Sequence, residues 1–286
     1  MQAWRGISGA TCKGWRWQMN EFENKVAVIT GGAGVLCSAI AEGLARERAR
    51  VVLLDIDEKR AQETLSRVRA AGSDGTFIKT SVLSRDELDE SVERTLGAYG
   101  QVDFLVNGAG GNHPKATTSA DVPFFDLPED AIRFTFDLNF MGTFLTAQAF
   151  GSAMANQKMG AILNIASMNA IRPLTRIPAY SASKAAVANF TQWLAVHMAL
   201  EYSPSIRVNA IAPGFFLTAQ NRFLLKNDND DLTPRGRQIM DHTPVGRFGV
   251  PEDLVGTVNW LLSDAAEFVT GIIVPIDGGF SAYSGV

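Results

Sequence analysis

The 286-residue chain predicts a single α/β domain, a doubly wound, seven-stranded parallel sheet with helices on both faces. Three observations predict it. From Lys25 onward, short β-branched apolar runs alternate with longer amphipathic segments, the pattern of parallel strands buried on both sides by helices. A glycine-rich turn joins the first apolar run to the first helical segment, as right-handed strand–helix–strand units require. The alternation then continues to the C-terminus without a linker or an internal repeat, so residues 19–286 read as one domain.

The strands are expected at Val26–Thr30, Val51–Asp55, Thr76–Thr80, Asp103–Asn107, Ala161–Ala166, Ile206–Ile211 and Ile272–Ile276, each a short run rich in Val, Ile and Leu. Helical spacing between them is clearest at Leu36, Ile40 and Leu44. Residues 1–18 hold three of the five tryptophans but neither a hydrophobic period nor the apolar run of a signal peptide. They read as a disordered extension ahead of a natural start at Met19.

Composition excludes several classes. A net charge of −4 with no basic tail argues against nucleic-acid binding, which needs a cationic surface. No uninterrupted apolar stretch of about 18 residues occurs, so no membrane span is expected. Two cysteines, Cys12 and Cys37, are too few for a disulfide framework and point to a reducing, cytoplasmic setting. No metal is expected.

Chemistry enters with the first turn. Thr30-Gly31-Gly32-Ala33-Gly34-Val35-Leu36-Cys37 lies between a strand and a helix start, where glycines admit a pyrophosphate to the backbone and the helix terminus offers free N–H groups. Asp55 ends the second strand 21 positions after Gly34, where a carboxylate accepts a ribose 2′-hydroxyl and repels a 2′-phosphate. NAD(H) is therefore the expected cofactor. A second small-residue cluster, Asn107-Gly108-Ala109-Gly110-Gly111, ends the fourth strand and leaves room over the sheet edge. Asn139 falls in the next helix, and Ser167 ends the fifth strand. Tyr180 and Lys184 follow with the four-residue spacing that puts a phenol and an ammonium on one helix face. A cation stabilises phenolate, but bringing a tyrosine from about 10 to about 7 needs roughly 4 kcal/mol, more than one exposed lysine provides. A water-poor cleft and a positively charged cofactor ring would have to contribute.

With these motifs in this order, closed by Pro213-Gly214, residues 22–281 resemble the short-chain dehydrogenase/reductase family. The resemblance implies a Rossmann-type fold and hydride transfer between a nicotinamide and a carbonyl or alcohol carbon. It implies that Tyr180 is the general acid/base, that Lys184 lowers its pKa and holds the nicotinamide ribose, that Ser167 bonds the substrate oxygen, and that Asn139 holds a relay water. The implied cofactor contacts are Gly31, Gly34, Val35, Leu36, Asp55, Val82, Asn107, Gly108, Ala109, Tyr180, Lys184, Pro213, Gly214 and Phe216. Two departures stand out. The family spacing TGxxxGxG is broken, because the middle glycine comes one position early at Gly34 and Val35 and Cys37 occupy glycine positions. Ser81-Val82 stand where an aspartate is usual beside the adenine.

The substrate mouth is expected in the loops after strands four to six. They carry Asn112, His113 and Lys115, then Asn169, Arg172 and Arg176, then Arg222. Cations there in an acidic chain point to a carboxylate-bearing small molecule, with Asn169 and Arg172 as its contacts, although His113 also fits a solvated loop. Residues 107–118 and 167–195 resemble the D-mannonate oxidoreductase or fructuronate reductase branch, which implies interconversion of a keto-sugar acid and its hydroxy acid. A gluconate 5-dehydrogenase or 3-oxoacyl reductase type is the alternative, and a catalytically silent dinucleotide-binding scaffold a third. Residues 215–245 form the expected substrate loop, with the polar run 226–231 reading as a mobile lid. The resemblance also implies a homotetramer.

Overall fold

The computed structural model describes residues 21–218 and 222–285. Seven parallel strands, β1 (Val26–Thr30), β2 (Arg50–Asp55), β3 (Gly75–Lys79), β4 (Phe104–Asn107), β5 (Gly160–Ile165), β6 (Ile206–Pro213) and β7 (Ile273–Ile276), stand in the order β3-β2-β1-β4-β5-β6-β7. All seven expected strands are present. The helices are α1 (Val35–Arg46), α2 (Glu58–Ala70), α3 (Arg85–Tyr99), α4 (Glu129–Phe136), α5 (Gly142–Gln157), α6 (Pro178–His197), α7 (Arg222–Leu225), α8 (Pro234–Asp241) and α9 (Val255–Leu262). Residues 1–18, expected to be an extension, lie outside the described residues.

Strand alternation sorts the core into two layers. Ala27 and Ile29 of β1 point to one face, with Ile40, Leu44, Leu261 and Leu262. Val26 and Val28 point to the other, with Leu88, Phe150 and Leu194. Local signals set the helix starts: Asp57 accepts from Arg60 N, Ser84 from Glu87 N and Thr233 from Gly236 N, each in the N-cap position. Pro178 opens α6, where its missing N–H costs nothing. Residues Asp137–Met141 form a π-helical turn between α4 and α5 that buries Asn139. A groove of about 490 Å³ bounded by Phe144, Phe190, Trp193 and Tyr202 runs along α5 and α6. No described helix is long and apolar enough to cross a membrane.

Candidate active site

Between β1 and β4 the strand order reverses, with Thr30 opposite Asn107. The crevice beyond strand ends at such a reversal is where open parallel sheets bind ligands. Two turns meet there. Thr30 Oγ1 accepts from Gly108 N at 3.0 Å and Ala109 N at 3.2 Å. Gly31 has φ 63°, and a Cβ on it would lie 2.8 Å from Ala109 Cα, so both its conformation and its neighbour require glycine. Gly34 is the N-cap of α1 and supplies no side-chain cap, and the first turn carries no acidic residue, which leaves Val35 and Leu36 at a helix end suited to an anion. The broken glycine spacing has a local compensation. Cys37 is buried with its Sγ against Gly108, where a Cβ would come within 2.1 Å, so the sulfur occupies room that a glycine across the crevice provides. Burial pushes the Cys37 thiol up to about 12, with Asp55 adding to the shift and Lys184 opposing it, so the sulfur is neutral.

Asp55 stands at the edge of this shelf, half-buried. Its Oδ2 accepts from Ala33 N and its Oδ1 from Asp57 N, both at 2.9 Å, and it makes no ion pair among the described residues. A carboxylate oriented by backbone N–H groups fits a ribose diol and repels a 2′-phosphate. Val82 turns its side chain inward against Gly142, where a Cβ would lie 2.7 Å from Val82 Cγ2, so only its backbone can border an adenine. Asn107 donates to Asn164 Oδ1 at 2.9 Å, while its own Oδ1 is buried without a partner among the described residues. Pro213 ends β6, and Gly214 packs so tightly on Asp277 that a Cβ would lie 2.6 Å from Asp277 Cβ. The Phe216 ring belongs to the buried core, so like that of Val82 its side chain packs into the protein. Taken together, the shelf fits a dinucleotide.

Ser167, Tyr180 and Lys184 gather at the ends of β5 and α6. Lys184 is buried, donates from Nζ to Ile165 O at 2.7 Å, and lies 5.7 Å from the centroid of the Tyr180 ring. Burial depresses its ammonium to about 8, with Cys37 opposing the shift. Burial raises the Tyr180 phenol above its ordinary value, and the Ser167 hydroxyl pulls it partly back. The protein alone therefore does not lower the phenol. Asn139 donates from Nδ2 to Thr135 O and Gly111 O, both at 2.7 Å, and accepts from Gly111 N at 3.1 Å. Both amide hydrogens are engaged in holding the turn after β4, so the expected relay water cannot be held by them.

The mouth differs from its expectation in several places. Asn169, expected at the substrate, is buried: its Oδ1 accepts from Leu174 N and Ser181 Oγ at 3.0 Å, and its Nδ2 donates to Ser167 Oγ at 3.3 Å. Arg172 is exposed and unpaired among the described residues. Arg222 is paired with Asp230. His113 accepts from Lys115 N at 3.2 Å and packs edge-on against Phe134 at 5.5 Å, a turn-forming role. The polar run 226–231 is a folded turn in which Lys226 bonds Asp230 at 2.8 Å and Asn227 Oδ1 accepts from Asn229 N and Asp231 N. Arg235, which sequence reasoning missed, lies half-buried in the first turn of α8, and burial and the nearby Arg176 charge both push its guanidinium below the usual value. A signal was available: Thr233-Pro234 is a helix-start pair, and an arginine directly after it sits at the positive end of the helix dipole, where cations are disfavoured.

Comparison with known proteins agrees with this geometry. Residues 32–281 match the family model described as enoyl-(acyl carrier protein) reductase. An uncharacterized oxidoreductase, UxuB, of Bacillus subtilis (strain 168) is 48% identical over 92% of this chain and 96% of its own length. The 2-dehydro-3-deoxy-D-gluconate 5-dehydrogenase of Dickeya dadantii (strain 3937) is 34% identical over 91% of this chain and 96% of its own. A crystal structure from Haemophilus influenza, provisionally described as a D-mannonate oxidoreductase with bound NAD, superposes with a TM-score of 0.88 at 42% identity, covering 94% of this chain and 100% of that one. The chain belongs to the short-chain dehydrogenase/reductase family. It is an NAD(H)-dependent oxidoreductase acting between an alcohol and a carbonyl.

Proposed function

We propose that this protein interconverts a keto-sugar acid and its hydroxy acid, of the D-fructuronate and D-mannonate type, with Tyr180 as general acid and base. The observation that carries the substrate class is the pair Arg176 and Arg235, one from the loop between β5 and α6 and the other from α8, near enough for one charge to act on the other. No carboxylate of the described residues pairs with either. Like charges facing each other, that of Arg235 partly desolvated, are unfavourable alone and favourable around a substrate carboxylate. The Haemophilus structure and the Dickeya relative both bear sugar-acid names, which supports the class; the latter makes a 5-keto gluconate derivative the second reading.

The chain's own groups then divide the work. Asp55 would hold the adenosine ribose, the free N–H groups of Val35 and Leu36 the pyrophosphate, and Lys184 the nicotinamide ribose. Bound NADH supplies the hydride in the reductive direction. The carbonyl oxygen lies between the Ser167 hydroxyl and the Tyr180 phenol. As charge gathers on that oxygen, Ser167 donates a hydrogen bond and Tyr180 transfers the Oη proton to it. Burial keeps the phenol protonated at neutral pH, the form a reductive acid needs. The Lys184 ammonium then steadies the phenolate until a proton returns from solvent. Oxidation runs the same path backward.

Replacing Arg235 with alanine tests the substrate class. KM for keto-sugar acids is expected to rise about 10- to 100-fold, as loss of a charge-assisted bond implies, while rates on neutral keto-sugars stay within about twofold. Equal loss on acids and neutral sugars would reject the carboxylate role.

A further inference from the structure

A serine hydroxyl has two acceptor sites and one hydrogen to donate. At Ser167 Oγ, both acceptor sites are filled by one residue: Asn169 donates from its backbone N at 3.2 Å and from its side-chain Nδ2 at 3.3 Å. The orientation of that amide is itself determined. Asn169 Oδ1 accepts from Leu174 N at 3.0 Å, and a backbone N–H can only donate, so the oxygen must face Leu174 and the nitrogen must face Ser167. Ser181 Oγ on α6, adjacent in sequence to Tyr180, adds a second bond to the same Oδ1 at 3.0 Å. All of this is buried, with Ser167 and Asn169 each 6% exposed.

We infer that Asn169 is a positioning residue that sets the polarity of Ser167. With both lone pairs of Ser167 occupied by N–H donors, its remaining hydrogen has to be donated outward, toward the phenol and the substrate oxygen. A hydroxyl free to rotate would divide its time between donating and accepting. One locked as a donor is already arranged for the negative charge that develops on the substrate oxygen, with no reorganisation at the moment of reaction. The same amide couples three elements. It ties the end of β5 to the loop at Leu174 and to α6 through Ser181, so the hydroxyl donor, the arginine-bearing loop and the tyrosine helix share one anchor.

This inference rests on the reading of Ser167 and Tyr180 as the reacting-site groups, and the test separates the two. Asn169→Asp keeps the shape but replaces the Nδ2 donor with an acceptor, which invites the Ser167 hydrogen inward. The expected result is a fall in kcat of about 100-fold, the usual loss for one donor to a developing oxyanion, with KM and the NADH dissociation constant each within about twofold. In a Ser167→Ala background the same change is expected to cost less than about threefold further, because Asn169 acts through the hydroxyl already removed. As pH falls and the new carboxyl takes a proton, kcat of Asn169→Asp is expected to recover in part; a structural lesion would not. Losses that multiply in the double variant, or that fall on KM instead of kcat, would overturn the inference. Should Asn169→Asp fail to fold, Asn169→Ser goes through the same cycle, with an intermediate loss expected because the backbone N–H bond survives. Wild-type kcat in Ser167→Ala alone would overturn the underlying reading of the site as well.

Discussion

At Lys184 a charge is kept where burial opposes it. Its folded-state value of about 8 lies below the ordinary 10.5, so the penalty is fully present below pH 8 and is relieved as pH rises from about 8 toward 10.5. That difference corresponds to about 3 kcal/mol, and the bond to Ile165 O offsets about 1 kcal/mol of it. Lys184→Met is therefore expected to raise the unfolding free energy of the cofactor-free protein by about 2 kcal/mol at pH 7, with the advantage shrinking by pH 10, while activity falls at least about 100-fold. Urea denaturation at the two pH values measures it, and a destabilised variant at pH 7 would contradict the account. Single residues were unevenly legible in the sequence. Tyr180 and Lys184 announce themselves because helical geometry makes a four-residue spacing a spatial statement. The direction of the Tyr180 shift was not legible, since burial is a property of the fold and here it outweighs the Ser167 hydroxyl. Asn169 looked like a substrate contact for the same reason: only the path of the loop shows that its amide turns inward.

Among the elements, strands were read nearly to the residue because each is an apolar run bounded by polar turns. The differences arise from pairing: β6 extends to Pro213, beyond the expected Ile211, because Ala212 and Pro213 still face Pro275 and Ile276 of β7. The stretch between β6 and β7 was least legible. A run of Asn and Asp suggests mobility, yet Asn227 caps its own turn and Asp230 collects Arg222 and Lys226, interactions that composition does not show. Beneath that turn, Leu225, Ile239 and Phe248 form a small core that holds α8, and with it Arg235, whose charge Arg176 feels. Gly236 is the contact point, since a Cβ there would lie 2.1 Å from Leu225 O. Gly236→Ala must push α8 away from α7, an overpacking of about 1–3 kcal/mol. The expected outcome is a several-fold higher KM for the sugar acid, with NADH affinity unchanged in a fluorescence titration. An unchanged KM would remove α8 from the substrate site.

For the molecule as a whole, the reversal of strand order between β1 and β4 explains why distant motifs work together. It brings the ends of β1, β2, β4, β5 and β6 to one edge, so Gly31, Asp55, Gly108, Ser167 and Gly214 become neighbours of a single crevice. That arrangement follows from the βα alternation and right-handed crossovers, which is why fold and cofactor shelf were legible together. Substrate choice was less so, because it depends on side chains from loops whose relative placement no periodicity encodes; Arg176 and Arg235 are 59 positions apart in sequence. The central claim is that the crevice reduces a keto-sugar acid with NADH. NADH oxidation with D-fructuronate and with a neutral ketose of similar size, each with the product identified, tests it most directly. The account predicts D-mannonate in amounts equal to the NADH consumed, and a kcat/KM at least about 100-fold above that for the neutral sugar. Equal turnover of the neutral ketose, or no NADH oxidation with any keto-sugar acid, would contradict it.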